Sequence, residues 1–264
     1  MTQIQGSTIL LTGASGGIGQ AIARALAARG GRLILTGRRA EVLEPLASEL
    51  GGRALSADLA DRDAPARLAE QAGPVDILVA NAALPASGTL DDYTQEQIDR
   101  ALDVNLRAPI ALAKLLSAPM AERGRGHLVF ISSLSGKSAQ PGGSLYSATK
   151  FGLRGFALAL REDLRARGVG VSTVFPGFIR DAGMFAEAGV ELPRGVATRS
   201  PEDVAAGVVK AIEGNKAEVD VAPLSLRAGA AISGLAPQLS ANVSRLLGNE
   251  RVTRDLAAGQ RHKR

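Results

Sequence analysis

The stretch TGASGGIG, Thr12–Gly19, stands between a short apolar run, Thr8–Leu11, and a segment from Ile18 to Arg29 in which Ile18, Ala21, Ile22, Ala25 and Leu26 recur at spacings of three and four. The run reads as a strand apolar on both faces, and the spacing reads as an amphipathic helix that stops at Gly30. The glycines between them let the backbone turn tightly and approach a ligand closely. The helix that follows presents free N–H groups and a positive dipole end to whatever lies in the turn. A pyrophosphate suits such a place; a glycine-rich turn without a ligand is the plain alternative. The Walker type of phosphate loop is excluded, because Ile18 occupies the position where its lysine would follow the glycine.

The same alternation continues along the chain. Apolar runs at Leu33–Leu35, Ile77–Ala80, Leu128–Ile131 and Val169–Phe175, with weaker ones at Arg53–Ala57 and Glu218–Val221, bring the expected strands to seven. Helix-like segments separate them. Strands apolar on both faces and joined by helices imply a parallel sheet covered on both sides, so the expected fold is a single α/β domain, doubly wound and Rossmann-like. Ser200-Pro201-Glu202-Asp203 marks a helix start, with serine as cap, proline at the first helical position and acids in the first turn.

Composition removes several kinds of chemistry. The chain of 264 residues has no cysteine, which excludes thiol catalysis, disulfides and cysteine-ligated metal. Its two histidines, His127 and His262, are too few and too far apart for a zinc site. No apolar stretch is long enough to span a membrane, and the first residues lack the order of a signal peptide, so a cytoplasmic protein is expected. The net charge of +5 is matched by the segment from Ser225 onward, where seven Arg and Lys face two acids. The remainder is close to neutral and aromatics are only 3% of the chain, which argues against nucleic acid as a partner.

One of the two tyrosines, Tyr146, lies four residues before Lys150 in SLYSATKFG, a spacing that puts both on one helix face. The pair gains meaning from its company. The T-G-x-x-x-G-x-G spacing of the glycine turn, together with Asn105 in DVNLRAP, Ser133 in FISSLSG, and Tyr146 and Lys150 in YSATK, resembles the short-chain dehydrogenase/reductase family. The likeness runs from about Gln5 to Ala222.

The resemblance implies an oxidoreductase that moves a hydride between a nicotinamide and a carbonyl or secondary alcohol, with Asn105, Ser133, Tyr146 and Lys150 as its catalytic set. Hydride addition leaves charge on oxygen, which needs a positioned donor and a proton. Tyr146 would deliver the proton, and Lys150 would lower the phenol's pKa by its charge while bonding the nicotinamide ribose. Ser133 would polarise the substrate oxygen, its neighbour Ser132 being the other serine available, and Asn105 would hold a water in the proton path. The same likeness assigns cofactor contacts to Gly13, Ser15, Gly17, Ile18, Gly19, Asp58, Leu59, Asn81, Ala82, Tyr146, Lys150, Pro176, Gly177 and Ile179. At the end of the second strand an acid would select NAD. Here Gly37 is followed by Arg38 and Arg39, whose guanidinium groups favour the 2′-phosphate, so NADP(H) is expected over NAD(H).

The sequence departs from the family pattern in places. Ala80 and Ala83 replace an Asn and a Gly around Asn81, and Gly17 stands where many NADP-preferring members carry a basic residue. Arg180-Asp181 follows the FPGFI turn where a threonine is usual, placing a charge pair next to the nicotinamide in this reading. The segment Asp181–Arg199, with Met184, Phe185, Val190 and Leu192, is expected to be a lid over an apolar substrate, a surface loop with ordinary apolar anchors being the alternative. Residues 1–222 are read as the catalytic domain and 223–264 as a basic, partly helical extension. In that extension Ala228, Ile232, Leu235, Leu239, Val243 and Leu246 form an apolar stripe interrupted by Pro237. Three covers suit the stripe: the domain itself or an oligomer interface, a lipid-like substrate, or an anionic membrane surface. A homo-oligomer, dimer or tetramer, is expected, and Gln260–Arg264 are expected to be disordered. A dinucleotide-binding sensor without turnover, or an NAD-preferring dehydrogenase, is the alternative to the main reading.

Overall fold

The computed structural model describes residues 2–190, 192, 196–236, 238, 255–256 and 258–260. Seven strands form one parallel sheet in the order β3-β2-β1-β4-β5-β6-β7. They are β1 (Thr8–Thr12), β2 (Arg32–Gly37), β3 (Arg53–Ser56), β4 (Ile77–Ala80), β5 (Gly126–Ile131), β6 (Val169–Pro176) and β7 (Glu218–Val221). The helices are α1 (Gly17–Ala27), α2 (Ala40–Glu49), α3 (Ala64–Ala72), α4 (Gln95–Leu102), α5 (Ala108–Glu122), α6 (Ser144–Arg165), α7 (Gly183–Glu187), α8 (Pro201–Glu213) and α9 (Leu224–Leu235).

Alternation along the strands divides the core between two faces. On β1, Ile9 and Leu11 join Ile22 and Leu26 of α1 and Val204 and Val208 of α8, while Leu10 points the other way, toward Leu68 of α3, Leu112 of α5 and Leu153 of α6. The central strands are buried along their whole length, which is why they read as unbroken apolar runs. The capping signal at Ser200 is met: its hydroxyl accepts from the Asp203 N–H while the Asp203 carboxylate accepts from the Ser200 N–H.

Strand order reverses between β1 and β4, and the carboxyl ends of those strands part there to leave a crevice. At the opposite end of the sheet, His127 is wholly buried. Its Nε2 lies 2.8 Å from Ser172 Oγ, and burial, then the nearby Arg161, lowers its pKa to about 3. Among the described residues no helix is long and apolar enough to cross a membrane, and no cluster of His, Cys, Asp or Glu could hold a metal ion.

The described part of α9 turns a different face inward from the one its larger residues suggest. Ala230 and Ser233 are buried, whereas Ala228 is exposed and Ile232 is 54% exposed. Small residues let the helix lie close to the loop after β5, where a Cβ at Gly234 would stand 3.6 Å from the Lys137 carbonyl. Leu239, Val243 and Leu246 lie outside the described residues. Gln260, expected to be disordered, is helical and 5% exposed, because its amide donates to the Met184 carbonyl of α7 at 3.0 Å.

Candidate active site

The crevice opens into a cavity of about 950 Å³ whose floor is the turn from β1 into α1. Gly13 has φ +67°, a conformation side chains disfavour, and a Cβ there would meet Ala82 Cα at 2.8 Å. Behind the turn, Thr12 Oγ1 accepts from the N–H groups of both Asn81 and Ala82, and the Asn81 amide donates to the carbonyls of Thr12 and Gly13. Asn81 thus fixes the turn through its side chain. Gly13, Ser15, Gly17, Ile18 and Gly19 all line the cavity, as do Asp58, Leu59 and Ala82 farther along the sheet edge. Asp58 Oδ1 accepts from the Ala60 N–H, and Oδ2 lies 3.8 Å from the Arg100 guanidinium.

The two arginines after β2 are not equivalent. Arg39 donates to the Ser15 carbonyl at 2.6 Å, so its guanidinium is tied to the glycine turn. Arg38 is exposed at the cavity wall and makes no hydrogen bond or ion pair among the described residues. The absence of a basic residue at position 17 has a steric reason: a Cβ on Gly17 would collide with the Ala182 side chain, which the segment before α7 places over the turn.

Farther along, β5 ends at Ile131 and hands the chain to Ser132 and Ser133, whose hydroxyls diverge. Ser132 is buried and donates to the Lys150 carbonyl at 3.1 Å, bracing α6. Ser133 has an extended backbone, accepts from the Ser135 N–H, and hydrogen-bonds Tyr146. The geometry therefore separates the two serines, pairing Ser133 with the phenol. Tyr146 and Lys150 share a face of α6, with the Lys150 ammonium 5.5 Å from the centre of the Tyr146 ring.

The electrostatic balance differs from the expected one. Burial raises the Tyr146 phenol to about 12, partly offset by Ser133, and burial lowers the Lys150 ammonium to about 8. Lys150 Nζ donates to the Ile131 carbonyl at 3.1 Å. Desolvation of both charged forms outweighs their attraction at this separation, so the lysine does not pull the phenol below its ordinary value.

Asn105 sits in a π-helical turn, Asp103–Arg107, between α4 and α5, and is 1% exposed. Its Oδ1 accepts from the Leu84 N–H at 2.6 Å and its Nδ2 donates to the Leu84 carbonyl at 2.9 Å. The side chain therefore fixes the irregular segment following Asn81. Four residues on is Pro109, which has no N–H, so the Asn105 backbone carbonyl lacks an α-helical donor.

On the far side, Pro176, Gly177, Phe178 and Ile179 line the cavity, and Ile179 is held by a bridge to Arg199. Arg180 and Asp181 do not. They are exposed, pair with each other at 3.2 Å, and lie outside the cavity wall. Asp181 takes φ +68°, which turns the chain so that Ala182 and Gly183, rather than the charges, face inward. Walls that sequence reasoning did not resolve come from Leu226 and Ala230 of α9 and from Leu256 and Gln260. Leu226, Ala230 and Ser233 step by four and three, a signal legible beside the larger stripe.

A doubly wound parallel sheet with a glycine turn at its switch point defines a nucleotide-binding α/β protein. Within that class the chain belongs to the short-chain dehydrogenases: the family model with that description matches residues 7–192. Ketoacyl reductase HetN of a Nostoc species is 37% identical over 84% of this chain and 80% of its own. The 3-oxoacyl-[acyl-carrier-protein] reductase FabG of Rickettsia conorii is 36% identical over 68% of this chain and 76% of its own. Among solved structures, a short-chain dehydrogenase from Sphingobium yanoikuyae in complex with NADPH has a TM-score of 0.77 at 28% identity, covering 89% of this chain and 95% of that one. The protein is an oxidoreductase of this family.

Proposed function

We propose that this protein reduces a ketone or related carbonyl to a secondary alcohol with NADP(H), Tyr146 giving the proton and the reverse reaction using the same groups. The observation that carries this reading is that Ser133, Tyr146 and Lys150 line the same cavity as the glycine turn. The residues present fit a dinucleotide: the turn and Gly37 leave a floor without side-chain bulk, and Arg38 offers a guanidinium with no partner among the described residues. When bound there, the nicotinamide supplies the hydride.

In this reading Ser133 holds the substrate oxygen and Tyr146 protonates it as charge develops. A phenol held near 12 is fully protonated at neutral pH, which suits a donor in carbonyl reduction. Lys150 anchors the cofactor's ribose, and its tie to the Ile131 carbonyl keeps that anchor on a rigid strand. Arg38 pairs with the 2′-phosphate while Arg39 braces Ser15. The backbone carbonyl of Asn105, rather than its amide, is the group left to hold a water.

Residues 1–222 form the catalytic body in this proposal, 181–199 its lid, and 223–264 an extension that completes the substrate wall. Leu115 of α5 and Phe151 and Leu158 of α6 are large apolar residues left 38–40% exposed, which supports association into a homo-oligomer. Loss of NADPH absorbance with a panel of ketones tests the reading. Turnover with NADPH well above that with NADH is expected; NADH serving equally would contradict the cofactor preference.

A further inference from the structure

A second cavity, of about 510 Å³, lies at the amino ends of β1, β5 and β6, the opposite end of the strands from the glycine turn. Arg32 of β2, Arg125 before β5, and Arg161 and Arg165 of α6 line it, with the Asp76 carboxylate among them. That carboxylate is shared: it accepts from the Thr8 N–H at 3.0 Å and lies 3.7 and 3.8 Å from the guanidinium groups of Arg123 and Arg125. Arg161 donates to neutral acceptors, the Val171 carbonyl and the side chain and carbonyl of Asn215, at 2.6 to 2.8 Å. Those bonds fix the guanidinium without cancelling its charge. Arg32 donates to Thr8 Oγ1 at 3.3 Å, and Arg165 lies 3.4 Å from the exposed Glu162.

The same cavity is lined by His127, a wholly buried group that the proposed reaction does not use. Ser172 Oγ donates to the Ala211 carbonyl at 3.3 Å, so toward the imidazole it is an acceptor, and His127 Nε2 carries the proton at 2.8 Å. Nδ1 therefore holds a lone pair. It is buried and meets no hydrogen-bond donor among the described residues, a cost that a native interior seldom carries without a use. Gly170, which also lines the cavity, leaves the space beside Nδ1 without a side chain: a Cβ there would collide with Nδ1 and stand 2.9 Å from Asn215 Oδ1, the atom that holds Arg161.

Fixed guanidinium groups beside a buried lone pair suit a ligand with both anionic oxygens and a proton to give. We propose that this cavity binds a small oxyanion that carries a hydroxyl: hydrogen phosphate or a hydroxycarboxylate. Its charged oxygens accept from the arginines, and its hydroxyl donates to His127 Nδ1. Among the described residues none lines both this cavity and the one that holds Tyr146, so the site stands apart from the proposed reductase chemistry.

The test is calorimetric titration of the full chain at neutral pH and low ionic strength with two matched pairs: phosphate against sulfate, and malate against succinate. Within each pair only the first member has a hydroxyl to donate. In at least one pair that member is expected to bind at least about tenfold more tightly, and the pair that shows it names the anion. Replacing the exposed Arg32 and Arg165 together by alanine is expected to weaken its binding at least about tenfold. Arg38→Ala, in the other cavity, is expected to leave it unchanged. No binding of any of the four up to about 10 mM, or equal affinity within both pairs, would overturn the proposal. So would undiminished binding in the double variant or loss of binding in Arg38→Ala. Should the double variant fail to fold, the wild-type pairs and Arg38→Ala decide.

Discussion

Lys150 Nζ donates to the carbonyl of Ile131 at 3.1 Å, which ties the ammonium on α6 to the last residue of β5. Burial lowers this group to about 8, so the ammonium is present below that pH and lost above it. The value of kcat/KM for NADPH reports groups of the cofactor-free enzyme. It is expected to fall about tenfold per pH unit above about 8. A profile flat to pH 10, the ordinary lysine range, would contradict the assignment.

The two serines after β5 should separate by phenotype. Ser133→Ala removes the hydroxyl paired with Tyr146 and is expected to lower kcat about 100-fold or more, with little change in NADPH affinity. Ser132→Ala removes a bond to the Lys150 carbonyl and is expected to cost about 1 kcal/mol of stability, with the larger share of kcat retained. The reverse pattern, measured by steady-state kinetics and denaturant midpoints, would exchange their roles.

Arg38→Ala is expected to weaken NADPH binding by about 1.5 to 3 kcal/mol, roughly 10- to 150-fold, and leave NADH binding nearly unchanged. Arg39→Ala should weaken both, since it frees the Ser15 carbonyl of the turn that both cofactors share. Fluorescence titrations with each cofactor distinguish these outcomes. Equal loss of NADPH and NADH affinity in Arg38→Ala would remove its phosphate role.

Asn105→Ala leaves the buried N–H and carbonyl of Leu84 without their partners. The expected loss is about 2 to 4 kcal/mol of unfolding free energy. A loss under about 0.5 kcal/mol in urea unfolding would show that the amide does not hold this segment.

The parts legible in the sequence were those where local pattern and tertiary environment agree. Strands such as Ile77–Ala80 and Val169–Pro176 are buried on both faces, so their apolar runs carried their own evidence. Gly126 and His127 extend β5 because they pair with Val169 and Gly170, a contact that no local pattern announces. The spacing of Ser133, Tyr146 and Lys150 pointed to a common site, and the fold brings them to one wall. The pKa of Tyr146 was not legible, because it depends on burial rather than on the spacing to Lys150. The orientation of Arg180 and Asp181 depended on one left-handed residue, and the face of α9 on small residues whose spacing of four and three is overshadowed by the larger apolar stripe.

In the proposed reaction Tyr146 is the proton donor in NADPH-dependent carbonyl reduction. Its most direct measurement is single-turnover oxidation of bound NADPH by a neutral ketone in wild type and Tyr146→Phe. The variant is expected to bind NADPH as wild type does and to transfer hydride about 100- to 10,000-fold more slowly. Hydride transfer at the wild-type rate in Tyr146→Phe would contradict the account.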